Sequence, residues 1–172
     1  MLDPRPLIIT ALLEPAVQAR FEALRRAHYP VARNKVPAHV TLFRQLPGRE
    51  LDVVRRRIKV ICAEVAPPEV TVTAVECRET GVAFRLRAPA LGAVHDALAA
   101  GWAGLLTPQD QAGFAGHVTV QNKVTPAEAR ATRSLLAATF EPQATRAVAL
   151  ALWRYCDGPW DALGSTAFRG RS

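Results

Sequence analysis

The feature that most constrains how this chain can fold is a tetrad that occurs twice. His39-Val40-Thr41-Leu42 and His117-Val118-Thr119-Val120 share the pattern His, apolar, Thr, apolar, and their histidines are 78 residues apart. The chain has 4 histidines, so half of them fall in this pattern. Alternating polar and apolar residues are typical of a half-buried strand, whose successive side chains point to opposite faces. The repeat therefore predicts two similar strands, each presenting a histidine and a threonine on one face.

Hydrophobic periodicity places the same elements around each tetrad. A strand and a helix precede each His-containing strand, a second helix follows it, and two further strands end the chain. We expect strands at 6–13, 38–43, 70–76, 82–87, 117–124, 148–155 and 160–168. We expect helices at 15–27, 51–65, 89–105 and 126–140. This order predicts an α+β fold with two related lobes, each supplying one His-containing strand.

Length and composition indicate a single globular domain that spans residues 1–172. The chain is 49% apolar and 22% charged, and no stretch of it reads as a linker. Its net charge of +7 favours an anionic partner such as nucleic acid or a phosphate ester. The basic run Arg55-Arg56-Arg57 with Lys59 is interpreted as the solvated face of a helix rather than a contact with RNA.

The cysteines and the apolar runs favour a cytoplasmic protein. Cys62, Cys77 and Cys156 are odd in number and far apart, so we expect reduced thiols rather than disulfides or a zinc site. The apolar run 7–13 is too short to span a membrane and follows Asp3 rather than a basic leader. Neither a membrane span nor a signal peptide is therefore expected.

The two tetrads offer a set of groups that suits a phosphate. Two imidazoles and two hydroxyls around one cavity would place Thr41 and Thr119 to donate hydrogen bonds to non-bridging oxygens. One imidazole could take a proton from water while the other gives one to the leaving oxygen, because the ordinary pKa of histidine lies near 6.5. His39 and His117 are thus the candidate catalytic residues. His28 and His95 lie on or beside apolar helix stripes and are interpreted as structural.

Other interpretations of the tetrads remain open. A single copy of such a tetrad is more often packing than catalysis, and the duplication is what favours function. A metal site would need a third ligand, and no Asp, Glu or Cys lies near either tetrad in the sequence, so no metal or other cofactor is expected. A basic RNA-binding module that keeps the cleft only as an anion site is the alternative without catalysis.

Two HxTx motifs roughly eighty residues apart, in a basic chain of this length, resemble the 2H phosphoesterase superfamily. Within it, the chain is similar to bacterial 2′-5′ RNA ligase-like and RNA 2′,3′-cyclic phosphodiesterase proteins. The resemblance implies a bilobal fold with pseudo-twofold symmetry, mainly antiparallel sheet, outer helices and a cleft between the lobes. It implies a metal-independent opening of 2′,3′-cyclic phosphates of RNA ends or nucleotides to 2′-phosphomonoesters, or of another small cyclic phosphate. A 2′-5′ ligase activity follows if an RNA 5′-hydroxyl replaces water, and a monomer is expected.

The resemblance also implies roles for individual residues. His39 would protonate the leaving 3′ oxygen and His117 would activate water, although these roles could exchange. Thr41 and Thr119 would hold the phosphate.

The chain departs from the family pattern after the second motif. Several relatives carry a basic residue there, where this chain has Gln121-Asn122 and then Lys123. Strand alternation predicts that Gln121 and Lys123 share the face of His117, and that Phe43 shares the face of His39. These three residues are therefore candidates for substrate binding. Phe43, Tyr155 and Trp153 could stack on a base, with core packing as the alternative for each.

Overall fold

The computed structural model describes residues 3–171. It contains seven strands: β1 (Leu7–Leu13), β2 (Val40–Leu46), β3 (Glu69–Arg78), β4 (Gly81–Arg87), β5 (His117–Gln121), β6 (Gln143–Tyr155) and β7 (Trp160–Ala167). It contains five α-helices: α1 (Pro15–His28), α2 (Leu51–Glu64), α3 (Pro89–Ala100), α4 (Pro108–Gln111) and α5 (Pro126–Ala137). Pro15, Pro89 and Pro126 begin helices, where a missing N–H costs no intrahelical hydrogen bond.

All the paired strands are antiparallel, and they form one sheet in the order β2-β1-β6-β3-β4-β5. The sheet has a first half, with β1 and β2, and a second half, with β3, β4 and β5. The long strand β6 belongs to both halves, because it pairs with β3 at its start and with β1 and β7 further on. The two His-containing strands are therefore the two ends of this six-strand path. The predicted α+β fold, mainly antiparallel with outer helices, is confirmed.

Helices α1 and α3 each pack against a strand of the other half of the molecule. Phe21 on α1 packs edge-on against Phe84 on β4, with ring centroids 5.3 Å apart. In the opposite sense, His95 on α3 stacks on Phe43 of β2, with centroids 4.4 Å apart and the planes 9° from parallel. Each half thus covers a strand of the other with the helix that precedes its own His-containing strand. This reciprocal packing brings the two edge strands, β2 and β5, next to each other. The surface between their His–Thr pairs is called the cleft.

The structure corrects several predicted boundaries. Strand β6 begins at residue 143 rather than 148, and residues 143–146 of this added part pair with β3. Helix α3 ends at Ala100 instead of 105, and residues 101–105 form turns. The short helix α4 is present in a segment for which no helix was predicted. Strand β5 ends at Gln121 rather than 124. In residues 3–171, no helix is both long and apolar enough to cross a membrane.

Candidate functional site

The two His–Thr pairs occupy equivalent positions in the two halves. His39 directly precedes β2 and His117 begins β5, and both side chains are half-buried. Residues 39–42 and 117–120 share the same order of half-buried and buried residues at all four positions. In both, the histidine and the threonine are half-buried, and the apolar residues between and after them are buried. The predicted alternation across each tetrad is therefore present.

Both imidazole rings are held by the same hydrogen bond. His39 Nδ1 lies 2.7 Å from the carbonyl oxygen of Pro37, and His117 Nδ1 lies 3.0 Å from that of Ala115. A carbonyl oxygen only accepts hydrogen bonds, so Nδ1 must carry the proton and donate it in each case. The other ring nitrogen, Nε2, is thereby left as the atom that accepts or donates a proton to a ligand.

Burial shifts both histidines toward the neutral form. It lowers the pKa of His39 from 6.5 to about 4, against the opposing effect of the Pro37 carbonyl. The positive charges of Arg25, His117 and Arg44 lower the pKa of His39 further. Burial also lowers the pKa of His117, and the charges of Arg78 and Arg44 act in the same direction. The two imidazoles are therefore close enough for a charge on one to affect the other.

Arg25 on α1 ties the two motifs together. Its side chain is 3% exposed, and Nη1 donates to the carbonyl oxygen of Thr119 at 2.9 Å. Its Nε donates to Asn34 Oδ1 at 2.8 Å and to the carbonyl of Val36 at 3.1 Å, in the loop that leads to β2. Burial lowers the pKa of Arg25. One buried guanidinium thus fixes the backbone of β5 and the approach to His39.

Two more side chains on the same face of α1 hold the residue before His39. Gln18 Nε2 donates to the carbonyl of Ala38 at 2.8 Å, and Glu22 Oε1 accepts from the Ala38 N–H at 2.9 Å. Gln18, Glu22 and Arg25 are spaced by four and three residues, which places them on one helix face. That polar spacing was the sequence signal for their role, and the sequence interpretation did not use it.

A buried carboxylate makes the corresponding connection from the second half. Asp110 on α4 is 3% exposed, and its oxygens accept the N–H of Arg44 at 2.9 and 3.1 Å and that of Gln45 at 3.0 Å. Helix α4 leads into β5, so Asp110 joins the segment before His117 to the strand that carries Thr41. The backbone of β2 is thereby positioned by the other half of the molecule.

A β-bulge follows the threonine in each His-containing strand. Thr10 pairs with Thr41 but Ile9 pairs with Phe43, so Leu42 is an extra residue. Likewise Ala83 pairs with Thr119 and Val82 with Gln121. Such a bulge shifts the alternation of side chains by one position.

The prediction that Phe43 and Gln121 share the faces of the histidines is therefore wrong. Phe43 is completely buried between His95 and Trp102. Gln121 is 5% exposed, and its Nε2 donates to Thr132 Oγ1 on α5 at 2.8 Å. Both side chains point to the helices instead of the cleft.

The bulge returns Arg44 to the face of Thr41. Arg44 follows the buried Phe43, its side chain is exposed, and in residues 3–171 its guanidinium has no ion-pair partner. Asn122 holds the equivalent place in the other half, five residues after its histidine. Its Oδ1 accepts from Thr80 Oγ1 at 2.8 Å and from the Lys123 N–H at 2.7 Å.

The predicted placement of Lys123 on the His117 face is also wrong. Because β5 ends at Gln121, Lys123 lies in the turn beyond the strand, with φ of 61°. Among residues 3–171, Arg44 in the first half is an arginine on the face of a motif threonine whose guanidinium forms no ion pair.

An aromatic cluster lies beside His39. The Trp160 ring lies 4.7 Å from the His39 ring and 6.0 Å from that of Trp153, centroid to centroid. Trp153 Nε1 donates to Thr10 Oγ1 at 2.9 Å, and Thr10 pairs with Thr41. Tyr155 is 38% exposed and pairs directly with Trp160 across β6 and β7, so the two side chains share a face. The sequence interpretation assigned no role to Trp160, because its closeness to His39 depends on long-range strand pairing.

The second half presents charges next to His117. Arg85 pairs directly with His117, and on the neighbouring strand Ala74 and Glu76 pair with Arg85 and Ala83. Glu76 forms ion pairs with Arg85 and Arg78. Across the described part of the chain, no three His, Cys, Asp or Glu side chains come together in a group that could hold a metal ion.

The comparisons with known proteins agree with this architecture. Two half-sheets that each carry one His–Thr pair are the arrangement that the resemblance to the 2H phosphoesterases implies. The chain belongs to the 2′-5′ RNA ligase superfamily, whose family model matches residues 13–159. The family resemblance predicted from the two motifs is therefore confirmed. No curated protein matches the chain significantly.

Solved structures share the fold at low sequence identity. The protein TT0787 of Thermus thermophilus superposes with a TM-score of 0.67 at 19% identity, over 97% of this chain and 100% of that one. E. coli LigT complexed with 3′-AMP gives 0.57 at 15% identity, over 96% and 99%. E. coli LigT complexed with NADP+ gives 0.54 at 17% identity, over 96% and 98%. The likeness thus covers nearly the whole of each chain.

Proposed function

We propose that this protein opens 2′,3′-cyclic phosphates of RNA ends or nucleotides to 2′-phosphomonoesters without a metal ion. The observation that carries the proposal is the pair of equivalent His–Thr strands, each with Nδ1 fixed and Nε2 free. Membership of the 2′-5′ RNA ligase superfamily and the structure of LigT with 3′-AMP support a nucleotide substrate. The same groups could accept an RNA 5′-hydroxyl in place of water, which would form a 2′-5′ linkage.

The reaction divides into two proton transfers at one phosphorus atom. A neutral imidazole takes a proton from water as the water oxygen bonds to phosphorus. The bond from phosphorus to O3′ breaks, and O3′ takes a proton from the other, protonated imidazole. Thr41 and Thr119 donate to the non-bridging oxygens, where charge develops. The product keeps its phosphate on O2′.

The environment of His39 suits the base. Because its pKa is lowered to about 4, His39 is neutral over most of the physiological range. The proton donor is then His117, which exchanges the roles that the family resemblance implies. Burial is the main cause of the lowered pKa of His39, and repulsion from a protonated His117 acts in the same direction.

Arg44 supplies the cation, and the aromatic cluster supplies the base contact. The Arg44 guanidinium is exposed on the face of Thr41. Its positive charge contributes to lowering the pKa of both His39 and His117. It takes the place that the sequence suggested for Lys123. Trp160 offers a ring face beside His39 on which a base can stack, and Tyr155, its cross-strand neighbour, offers a second ring on the same face. Phe43 and Gln121, being buried, have no part in this assignment.

The proposal is tested by incubating the protein with 2′,3′-cyclic AMP and excess EDTA and following the products by phosphorus NMR. The expected product is the 2′-monoester alone, at a rate that EDTA does not change. A 3′-monoester would contradict the cleaved bond, and loss of activity in EDTA would indicate a metal-dependent reaction. If no cyclic phosphate is turned over while RNA still binds, the non-catalytic RNA-binding alternative is favoured.

The optimum of kcat/KM is expected to lie below pH 6.5. This ratio reports the free enzyme, in which burial lowers the pKa of both histidines, so the proton on the acid is lost as pH rises above these lowered values. The alkaline limb of kcat should lie at higher pH, because the bound phosphate anion stabilises the protonated imidazole. Steady-state rates from pH 4 to 9 measure both curves. An optimum of kcat/KM at pH 7.5 or above would contradict the lowered pKa values.

Arg44→Gln is expected to lower kcat/KM by about tenfold to a hundredfold, since a hydrogen bond to a charged group is worth about 1.5–3 kcal/mol. Lys123→Gln removes the same charge from the turn beyond β5 and should change kcat/KM by less than about threefold. Both variants are assayed with 2′,3′-cyclic AMP at fixed ionic strength. A larger loss of kcat/KM in Lys123→Gln than in Arg44→Gln would show that Lys123, not Arg44, is the cation that contacts the phosphate.

A further inference from the structure

A cavity of about 740 Å³ lies beyond the described cleft, where β3, β4 and β6 meet the start of α3 and the end of the chain. Its volume is within the range of small-molecule sites, about 300–1,000 Å³. Three arginines line it, Arg87, Arg146 and Arg171, with Glu69 as the single carboxylate among its lining residues. The cavity is therefore positively charged.

The three guanidiniums are available to a ligand. Each arginine side chain is exposed, and within residues 3–171 none forms an ion pair with a carboxylate. The cross-strand neighbour of Arg146 is Glu69, yet the two side chains form no ion pair. By contrast, Arg55 and Arg57 on α2 donate to the carbonyls of Leu163 and Ala97. The cavity arginines thus have no structural partner that explains their presence.

Strand pairing places this cavity on the same face as the second motif. His117 pairs with Arg85. Arg87 lies two residues further along β4 on the same face, so its Cα is about 7 Å from that of Arg85. Arg87 pairs in turn with Thr71, and Glu69, two residues before Thr71, pairs with Arg146. One continuous sheet face therefore runs from His117 through Arg85 and Arg87 to Glu69 and Arg146 at the cavity.

We propose that this cavity binds backbone phosphates of an RNA strand whose 3′-terminal cyclic phosphate lies between His39 and His117. The inference rests on the proposed function and narrows the substrate to a single-stranded oligonucleotide. A 2′,3′-cyclic phosphate ends a strand, so all other nucleotides extend from its 5′ side. Guanidinium groups match phosphate oxygens in a bidentate manner, and a basic groove that follows the backbone is a common mode of single-strand binding.

The test compares two substrates in a triple variant, Arg87→Gln/Arg146→Gln/Arg171→Gln. The substrates are 2′,3′-cyclic AMP and a six-nucleotide RNA that ends in a 2′,3′-cyclic phosphate. The ratio of kcat/KM for the RNA to that for the mononucleotide is expected to fall at least tenfold. The dependence of log KM for the RNA on log salt should become shallower by about 2, since each phosphate contact on a single strand contributes about 0.7.

The control variant removes the same charge from the outer helices, as Arg56→Gln/Lys59→Gln/Arg133→Gln, all exposed positions. It should keep the substrate ratio of the native protein. Equal losses in both triple variants would mean that only net charge matters and would overturn the inference, as would an unchanged ratio in the cavity variant.

Failure of the proposed function can be distinguished from failure of this inference. If the native protein turns over neither substrate, the proposed reaction is wrong, and binding of a fluorescein-labelled six-nucleotide RNA with a 3′-phosphate is measured by anisotropy instead. A tenfold weaker affinity in the cavity variant, with the control unchanged, would still support the RNA site. Equal affinity of the native protein and the cavity variant would overturn it.

Discussion

Replacing His39 or His117 with alanine is expected to lower kcat for a 2′,3′-cyclic nucleotide by about 10²- to 10⁴-fold, the usual contribution of general acid–base groups. Each ring is already oriented through Nδ1, so its removal takes away a positioned proton carrier at Nε2. The double variant should lose little more than either single variant, because residues that act as a unit are not additive. His28→Ala is the matched control, since His28 ends α1 and belongs to neither motif.

A substrate that needs no acid separates the two roles. Nitrophenolate leaves bis(4-nitrophenyl) phosphate without taking a proton, so the variant that has lost the acid should keep most of its activity toward this ester. If His117 is the acid, His117→Ala should keep most of its activity toward this ester. His39→Ala should lose activity toward the ester as it does toward the cyclic nucleotide. The reverse pattern would restore the roles implied by the family resemblance. Equal losses below threefold in both variants would rule out paired acid–base catalysis.

Phe43→Ala is expected to lower the free energy of unfolding by about 3–5 kcal/mol, as for other fully buried aromatic residues. Phe43 is completely buried, stacks on His95 and meets Trp102 edge-on with ring centroids 5.1 Å apart. Truncation would leave a cavity between β2 and the helix of the other half. Urea unfolding followed by circular dichroism measures the change.

The control for Phe43 is an aromatic residue at the mouth of the cleft. Tyr155→Ala, at 38% exposure, should cost less than about 1 kcal/mol of stability while weakening nucleotide binding. An unchanged unfolding midpoint in Phe43→Ala, together with weaker nucleotide binding, would show that the ring stacks on a base after all.

The difference between Phe43 and the histidines explains how far the sequence could predict this site. Strands, helices and both motifs were predictable because periodicity and proline positions are local signals. The bulges at Leu42 and in β5 were not, because neither strand carries a Gly or Pro at its bulge and the extra residue is defined only against the paired strand. Strand alternation failed two residues after each threonine, at Phe43 and Gln121, and the predicted roles of these two residues failed with it.

The contacts that assemble the cleft were beyond prediction for a related reason. Asp110 and Arg25 meet backbone groups of the opposite half, 66 and 94 residues away along the chain. The sequence around Asp110 and Arg25 gives no indication of which distant backbone groups these side chains contact. Trp160 similarly reaches His39 only through the pairing of β6 with β1 and β7. Arg44 was visible as one arginine among many, and its face became defined only once the bulge was known.

The same two side chains, Asp110 and Arg25, bear on the solubility of the protein. The His-containing strands end the six-strand path, and an edge strand offers unpaired N–H and C=O groups to which another chain can add. Asp110 occupies the N–H groups of Arg44 and Gln45, and Arg25 occupies the carbonyl of Thr119. Strand addition at these backbone groups would have to displace a buried charge. The strands that carry the His–Thr pairs can therefore end the sheet while they resist edge-to-edge aggregation.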